Sequence, residues 1–301
     1  MSASRTQYAV RSTQYGSQWH VVILAGGLGK RLWPLTGPDL PKPLLPLRGG
    51  GTLLSMAVER ARALVPLSQV WVVTTSTYGA RIARALPRSL RSRVIAEPAV
   101  RGTATCIAVM THLIAARDPA AGIIVLPSDH WIAPLASFRA TLRSAMRRCA
   151  AEPSALACVG IAPAAPATGY GYIHYRGSRV TRFAEKPSRA QAAAWIRRGR
   201  VAWNAGMFVG SATAFQTALQ RWAPSLARAV ETLPPHPGRA LDRALAHRYP
   251  RLPARSFDRA VLERHHPVTV VRARFRWSDV GSWAAWPLLQ QILAPQIIRM
   301  L

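Results

Sequence analysis

Apolar positions along the chain fall into short blocks separated by Gly, Pro and polar residues. The first block, Val21 to Leu24, reads as a buried strand. It runs at once into Ala25-Gly26-Gly27-Leu28-Gly29, which cannot continue a strand and exposes backbone N–H groups. Leu53, Leu54, Ala57, Val58 and Ala61 then recur at helical spacing, so Thr52 to Leu64 is a helix with Thr52 as its N-cap. Val70 to Thr74 reads as a strand, Tyr78 to Leu86 as a short helix, and Val94-Ile95 as a strand ending at Glu97-Pro98. A helix to about Ala116 follows, and then a strand, Gly122 to Asp129. The pattern continues with a helix (Leu135 to Cys149), a strand (Ala155 to Ile161), a helix (Gln191 to Arg197) and a strand (Val268 to Arg274). Phe215 to Arg248 reads as helical but is broken by Pro224 and by Pro234-Pro235-His236-Pro237, and no chemistry attaches to it. Strand and helix alternating in this way predict an α/β fold, a mostly parallel mixed sheet flanked by helices.

Ligands of such sheets bind beyond the carboxyl ends of the strands, where the glycine run and Glu97 both fall. Gly26, Gly27 and Gly29 can take positive φ and admit an anion close to the main chain, while Lys30 and Arg31 add charge beside it. Lys42 lies between Pro41 and Pro43, on a stiff backbone that can aim its ammonium. The run is not a Walker A loop, since no Gly-Lys-Ser/Thr closes it. Leu32 stands where a dinucleotide fingerprint needs its third Gly. Asp129 at a strand end is placed to hold a magnesium ion or, more plainly, to serve a turn. Thr168-Gly169-Tyr170-Gly171-Tyr172 fits a ligand lying against the backbone and equally a Gly-kinked hairpin. Asn204 offers both donors and acceptors, which suit vicinal hydroxyls.

The 301 residues are half apolar, enough for a sizeable core. A net charge of +28 raises nucleic acid as a partner, but the basic residues are scattered, with no tail and no stripe interleaved with aromatics. Three of the 40 basic residues are Lys, at 30, 42 and 186, and all three fall in motif-like stretches. Only twelve residues are acidic, and Glu97, Asp129, Glu185, Asp258, Glu263 and Asp279 also fall in such stretches. Cys106, Cys149 and Cys158 are odd in number without C-x-x-C spacing, which argues for a reducing compartment, the cytoplasm, and against a zinc site. Residues 1–18 read as a loose extension without a secretory h-region. Pro and Gly break the two long uncharged stretches, 153–175 and 280–298, so neither is a membrane span.

LAGGLGKRLWPL followed by PKPLLPL resembles the signature of the sugar-1-phosphate nucleotidyltransferases, and Leu32-Trp33-Pro34 resembles the mannose-1-phosphate guanylyltransferase branch. Six later segments are similar to the family's in the same order: EPAVRGTATC, LPSDHWI, TGYGYI with FAEKP, WNAGMF, SFDRAVLE and WSDVGSW. The chain departs from the pattern at Gly102, where the family has Asn, and at Thr105-Cys106, where it has Pro-Ala.

The resemblance implies a Rossmann-like nucleotidyltransferase fold over 19–290, with 291–301 as a short tail. It implies transfer of GMP from GTP to α-D-mannose 1-phosphate with Mg²⁺. Arg31, Lys42 and Lys186 would be catalytic, the first two on the triphosphate and the third on the sugar phosphate. Leu24, Ala25, Gly26, Gly27, Gly29, Lys30, Glu97, Gly102 and Thr103 would face the nucleotide, and Gly171, Glu185 and Asn204 the mannose. Asp129 and Asp279 would hold the metal. From spacing alone two aspartates 150 positions apart mean nothing, and Asp279 equally suits the cap of a helix starting near Ser282. Partners are then the two small substrates, with a homodimer left open and no specific nucleic acid. A sister enzyme using glucose 1-phosphate or another nucleotide, and a non-catalytic nucleotide-sugar sensor, are the competing readings.

Overall fold

The computed structural model describes residues 18–27, 29–265 and 267–299. The extension expected before Trp19 lies outside them except for Gln18, as do Leu28 and the last two residues of the tail.

The main sheet is built from β1 (Trp19–Leu24), β2 (Val70–Thr75), β3 (Val94–Glu97), β4 (Gly122–Pro127), β6 (Leu156–Ile161), β7 (Gly171–Arg176), β8 (Arg179–Glu185), β9 (Val201–Ser211) and β10 (Val268–Arg272), while β5 (Trp131–Ala133) and β11 (Arg276–Ser278) form a separate ribbon. The order across the sheet is β3-β2-β1-β4-β9-β6-β10-β8-β7. β3, β2, β1 and β4 are parallel, with Leu24 opposite Val73 on one side and Pro127 on the other. This is the half that strand–helix alternation predicts. β9 then runs antiparallel between β4 and β6, and the β7–β8 hairpin closes the far edge. The sheet is therefore mixed, with its parallel part carrying the glycine loop.

Central strands read as unbroken apolar runs because both faces are covered. On one face α1 (Leu53–Arg62), α2 (Ser76–Ala85) and α4 (Leu135–Ala151) pack on Val21, Ile23, Val72 and Ile124. On the other, α3 (Thr103–Ala115) packs on Val22, Trp71, Val73, Ile123 and Val125. Outside α3 lies the lobe of α6 (Ala212–Trp222), α7 (Pro224–Glu231) and α8 (Arg239–Arg248), broken at Pro224 and at 234–237 as the sequence indicates. Between α4 and α6, helix α5 (Arg189–Arg198) begins with a capping box in which Ser188 and Gln191 satisfy each other's N–H groups; Thr52 and Ser55 do the same for α1.

A third apolar cluster joins the start of the chain to its end. Leu32, Leu35, Leu45, Leu47 and Leu53 pack with Val280, Leu289 and Leu293. Helix α9 (Trp286–Ile292) and the residues after it are tied down by Arg48 N–H to Ile292 O (2.8 Å) and Ala294 N–H to Pro46 O (3.1 Å). The 30–47 segment is thus clamped from outside the sheet, which stiffens the loop that carries Arg31 and Lys42.

Candidate active site

β1 ends at Leu24, and the chain turns off the sheet. Ala25 N–H still bonds Val73 O (2.7 Å), and Ser128 N–H bonds Leu24 O (3.0 Å), so the turn is fixed to both neighbouring strands. Among the described residues neither Gly26 N–H nor Gly27 N–H donates to the chain, which leaves two donors for an anion. A Cβ on Gly26 would stand 3.6 Å from Glu97 Oε2, and one on Gly27 would stand 3.7 Å from Asp129 Oδ2. The loop therefore lies between the two carboxylates. Of its three glycines only Gly29 uses positive φ (67°), and there a Cβ would press on Lys42 Cβ (2.9 Å) and Thr36 (3.0 Å). Lys30 and Arg31 follow in one turn of 3₁₀ helix and are exposed.

Lys42 is buried, and its Nζ donates to Asp129 Oδ2 at 2.6 Å and to the main-chain oxygen of Asp279 at 2.5 Å. The two aspartates are brought together by an element too short to read from the sequence. β5 pairs antiparallel with β11, Ser278 opposite Trp131. Asp129 lies just before one strand and Asp279 just after the other. Trp277 Nε1–H donates to His130 Nδ1 across this ribbon (3.1 Å). Burial holds His130 down to about 4, so the ring is neutral and packs rather than reacts. Burial pushes the Asp129 carboxyl up, but the Lys42 ammonium, His130 and a main-chain N–H together outweigh it and the net shift is downward. Asp129 is thus an anion at neutral pH. Asp279 accepts from Tyr170 O–H (2.9 Å) and Gly281 N–H (3.1 Å), and Arg31 Nη2 stands 4.0 Å from its other oxygen. Val280, directly after it, has φ 46°, a strained value for a β-branched residue that fixes where Asp279 points.

The third group lies where β7, β8 and β9 meet. Glu185 ends β8, and a Cβ on Gly171 would press on its Oε2 (2.7 Å) and meet Asn204 Cβ (3.6 Å). Lys186 follows with φ 47°, exposed, its Nζ 3.6 Å from Glu185 Oε1. Asn204 is already partly engaged: Oδ1 accepts from Gly206 N–H (3.0 Å) and Nδ2 donates to Asp258. One N–H and one lone pair remain for a ligand. Burial, with Glu185 nearby, lifts Asp258 to about 6. Tyr170 covers this group, its ring 4.9 Å from Trp203 and 5.3 Å from Trp277.

Three predicted groups therefore converge at the strand ends. Gly102 stands apart. It is the N-cap of α3 with φ 76° and ψ 171°, and a Cβ there would overlap the carbonyl of Arg255, so a structural demand accounts for glycine. Thr103, next to it, accepts from Phe257 N–H at its hydroxyl (2.9 Å).

Sequence reasoning missed Tyr170 as a partner of Asp279, Asp258 as the group behind Asn204, and Arg60. Arg60 lies on the buried side of α1 with both terminal nitrogens unpartnered among the described residues. Its signal was an arginine on the stripe of Leu53, Leu54, Ala57 and Ala61. Asp258 was visible only as a scarce carboxylate in a motif.

A glycine loop with two open N–H groups, a lysine joining two aspartate segments and the Glu185–Asn204 group thus meet at the strand ends of a mixed α/β sheet. The chain belongs to the nucleotidyl transferase family, whose pattern matches residues 20–293. It is 36% identical over 279 residues to a mannose-1-phosphate guanylyltransferase of Sinorhizobium fredii, covering 88% of this chain and 54% of that protein. It is 34% identical over 286 residues to one of Escherichia coli K12, covering 89% and 59%. The chain thus spans between half and three-fifths of these relatives' length. It also superposes on a structure from Thermus thermophilus, solved as a mannose-1-phosphate geranyltransferase, with TM-score 0.79, 35% identity and coverage of 89% and 78%.

Proposed function

We propose that the chain transfers GMP from GTP to α-D-mannose 1-phosphate, releasing diphosphate and forming GDP-mannose. The observation that carries this reading is Lys42, buried and bonded to both Asp129 and the Asp279 main chain directly beside Gly27. The names of the relatives support guanylyl transfer to mannose 1-phosphate over the thymidylyl and glucose alternatives.

The nucleophile is an oxygen of the sugar phosphate, already ionised at neutral pH, so the site needs no general base. Its work is positioning and charge neutralisation during in-line attack on the α-phosphorus. An ammonium has three N–H donors, and Lys42 has spent two on the aspartates, leaving one for a triphosphate oxygen. Arg31, exposed on the glycine loop, can follow the departing diphosphate. The open N–H groups of Gly26 and Gly27 face the same anion. Glu185 and Asn204 line the sugar side, and Lys186 at its rim meets the incoming phosphate.

Asp129 and Asp279 fit a magnesium ion. Both offer hard carboxylate oxygens, Asp129 already holds a cation in the Lys42 ammonium, and Mg²⁺ in such sites uses one or two carboxylates plus substrate phosphates. When bound it would supply charge neutralisation between the phosphates. Among the described helices none is long and apolar enough to cross a membrane, and the three cysteines are free and buried, in keeping with the cytoplasm as the working compartment.

Diphosphate release measured with GTP, ATP, UTP and dTTP against mannose and glucose 1-phosphates tests the proposal. GTP with mannose 1-phosphate should lead by about tenfold or more in kcat/KM. A preference for dTTP with glucose 1-phosphate would overturn it.

A further inference from the structure

Glu97 ends β3 beside the glycine loop, and its two oxygens are treated differently. Oε1 accepts from the Cys106 thiol at 2.6 Å, whereas Oε2 faces Gly26. Cys106, in the first turn of α3, is also 3.8 Å from the phenol oxygen of Tyr249, at the end of the helical lobe. A thiol has one proton and a carboxylate only accepts, so the S–H points to Glu97 and the Tyr249 O–H points to the sulfur. Thr75, paired with Glu97 in the β2–β3 register, has a buried hydroxyl with no partner among the described residues. A buried hydroxyl without a partner calls for one from outside the chain. Packing alone does not ask for a thiol at 106, where the resembled pattern has Ala.

We propose that Cys106 is a positioning residue for base selection: its thiol pins Oε1 and presents Glu97 as an anionic acceptor to a base edge carrying adjacent N–H donors, as guanine does. The proposal rests on the reading of this cleft as a GTP site. Guanine offers N1–H and the 2-amino group side by side, a pair that a carboxylate accepts and that adenine, uracil and thymine lack. The carboxylate must be charged to play this part. Burial lifts Glu97 to about 7, and the Cys106 hydrogen bond opposes that rise. The other groups against it, Thr75 of β2 and Gly26 of the loop, are uncharged, and Tyr249 acts through Cys106. Removing the thiol proton donor therefore shifts Glu97 further toward the neutral acid.

The test has two arms. In the first, KM for GTP and for ITP, which lacks the 2-amino group, is measured from about pH 6 to 9 in wild type, Cys106→Ala and Cys106→Ser. Cys106→Ala should raise KM for GTP at neutral pH about five- to tenfold, the worth of one hydrogen bond. The pH at which KM reaches its plateau should move upward. The GTP-over-ITP preference should narrow, while kcat and the KM for mannose 1-phosphate stay within about twofold. Cys106→Ser, which keeps a donor, should restore most of the wild-type profile. In the second arm, carboxyl ¹³C shifts are titrated in ligand-free protein; the chain has only six Glu residues, and Glu97→Gln assigns the signal. The Glu97 midpoint should rise in Cys106→Ala. If wild type prefers another nucleotide, the functional reading fails while the titration still tests the thiol bond. An unchanged Glu97 midpoint in Cys106→Ala, or an unchanged KM profile for GTP, overturns the proposal and leaves Cys106 as packing.

Discussion

Lys42 Nζ lies 2.6 Å from the carboxylate of Asp129 and 2.5 Å from the main-chain oxygen of Asp279, so one ammonium bonds a side chain on one side and a backbone on the other. The asymmetry separates the two aspartates. Asp129 is both a candidate metal ligand and the counter-charge of a buried lysine. Asp279 holds its lysine through an atom that no substitution of its side chain removes.

Asp129→Asn and Asp279→Asn should therefore differ. Each should reduce turnover by orders of magnitude, because an amide keeps the shape but loses the anionic ligand. Only Asp129→Asn leaves a buried ammonium without its counter-charge. Losing one partner of a fully buried pair costs about 3–5 kcal/mol, and with Asp129 24% exposed the cost falls to about 2 kcal/mol. Thermal unfolding should show Tm lower by about 5 °C in Asp129→Asn and little changed in Asp279→Asn. Equal Tm values would mean the Lys42–Asp129 pair carries no stability.

Buried acids and buried histidines together set the pH dependence of stability. Burial raises Glu97 from 4.5 to about 7 and Asp258 from 3.8 to about 6. Between the unfolded and folded values the native state binds more protons than the unfolded chain, so stability falls as pH rises through that interval. His20 and His130, held down from 6.5 to about 4 by burial, oppose this between about pH 4 and 6.5, so the contribution of Glu97 is read as the Tm of wild type minus that of Glu97→Gln, which should fall between about pH 4.5 and 7. Asp129 works in the opposite sense: its lowered value adds stability above the ordinary carboxylate range, lost as pH falls through its folded value. Glu97→Gln should flatten the upper part of the profile. A wild-type-minus-variant difference that does not fall between about pH 5 and 7 would contradict the raised value of Glu97.

Strand ends were legible because apolar runs stop abruptly there: Leu24 before the glycines, Leu126 before Asp129. The glycine loop follows from the same breaks, Lys42 from its flanking prolines, and Glu185 from the resemblance carried by FAEKP. The meeting of Asp129 with Asp279 was not legible, because three-residue strands carry no periodicity and their pairing spans about half of the chain. The antiparallel insertion of β9 was hidden for a related reason, since a strand buried on both faces looks alike in either direction. Arg60 is buried on α1 and Asp258 stands behind Asn204, and residue type alone reveals neither position.

At 102 the resembled pattern has Asn, and restoring it should harm this chain. Gly102 combines φ 76° with ψ 171°, a conformation essentially reserved for glycine, and Asn tolerates only the left-handed helical part of positive φ. A Cβ would also overlap Arg255 O, which accepts from Ala104 N–H in the first turn of α3 (3.2 Å). Gly102→Asn should cost about 1–3 kcal/mol, read as a Tm lower by several degrees. An unchanged Tm would show that the helix start relaxes without cost.

The chain's use of lysine gives the last prediction. Lys42 and Lys186 are two of three lysines among 40 basic residues, so arginine is the default cation and each lysine calls for a reason. At 42 the structure supplies one. The side chain is buried, its Cβ lies against Gly29, and its Nζ fits between a carboxylate and a carbonyl at 2.6 and 2.5 Å. A guanidinium is larger and fixes its donors in a planar fork, so Lys42→Arg must displace the Gly29 turn or the β5–β11 ribbon. A displacement of about 1 Å in the reacting groups costs on the order of a hundredfold in rate. Lys186 is different: it is exposed, and its nearest partner, Glu185, stands at 3.6 Å. Room for an arginine exists there, so Lys186→Arg should keep its fold and lose activity mainly through a raised KM for the sugar phosphate. Lys30, exposed on the loop, should accept arginine without loss. Steady-state kinetics on the three variants should rank them Lys42→Arg far below Lys186→Arg, and Lys186→Arg below Lys30→Arg. Equal activity in all three would remove the argument that these lysines mark the site.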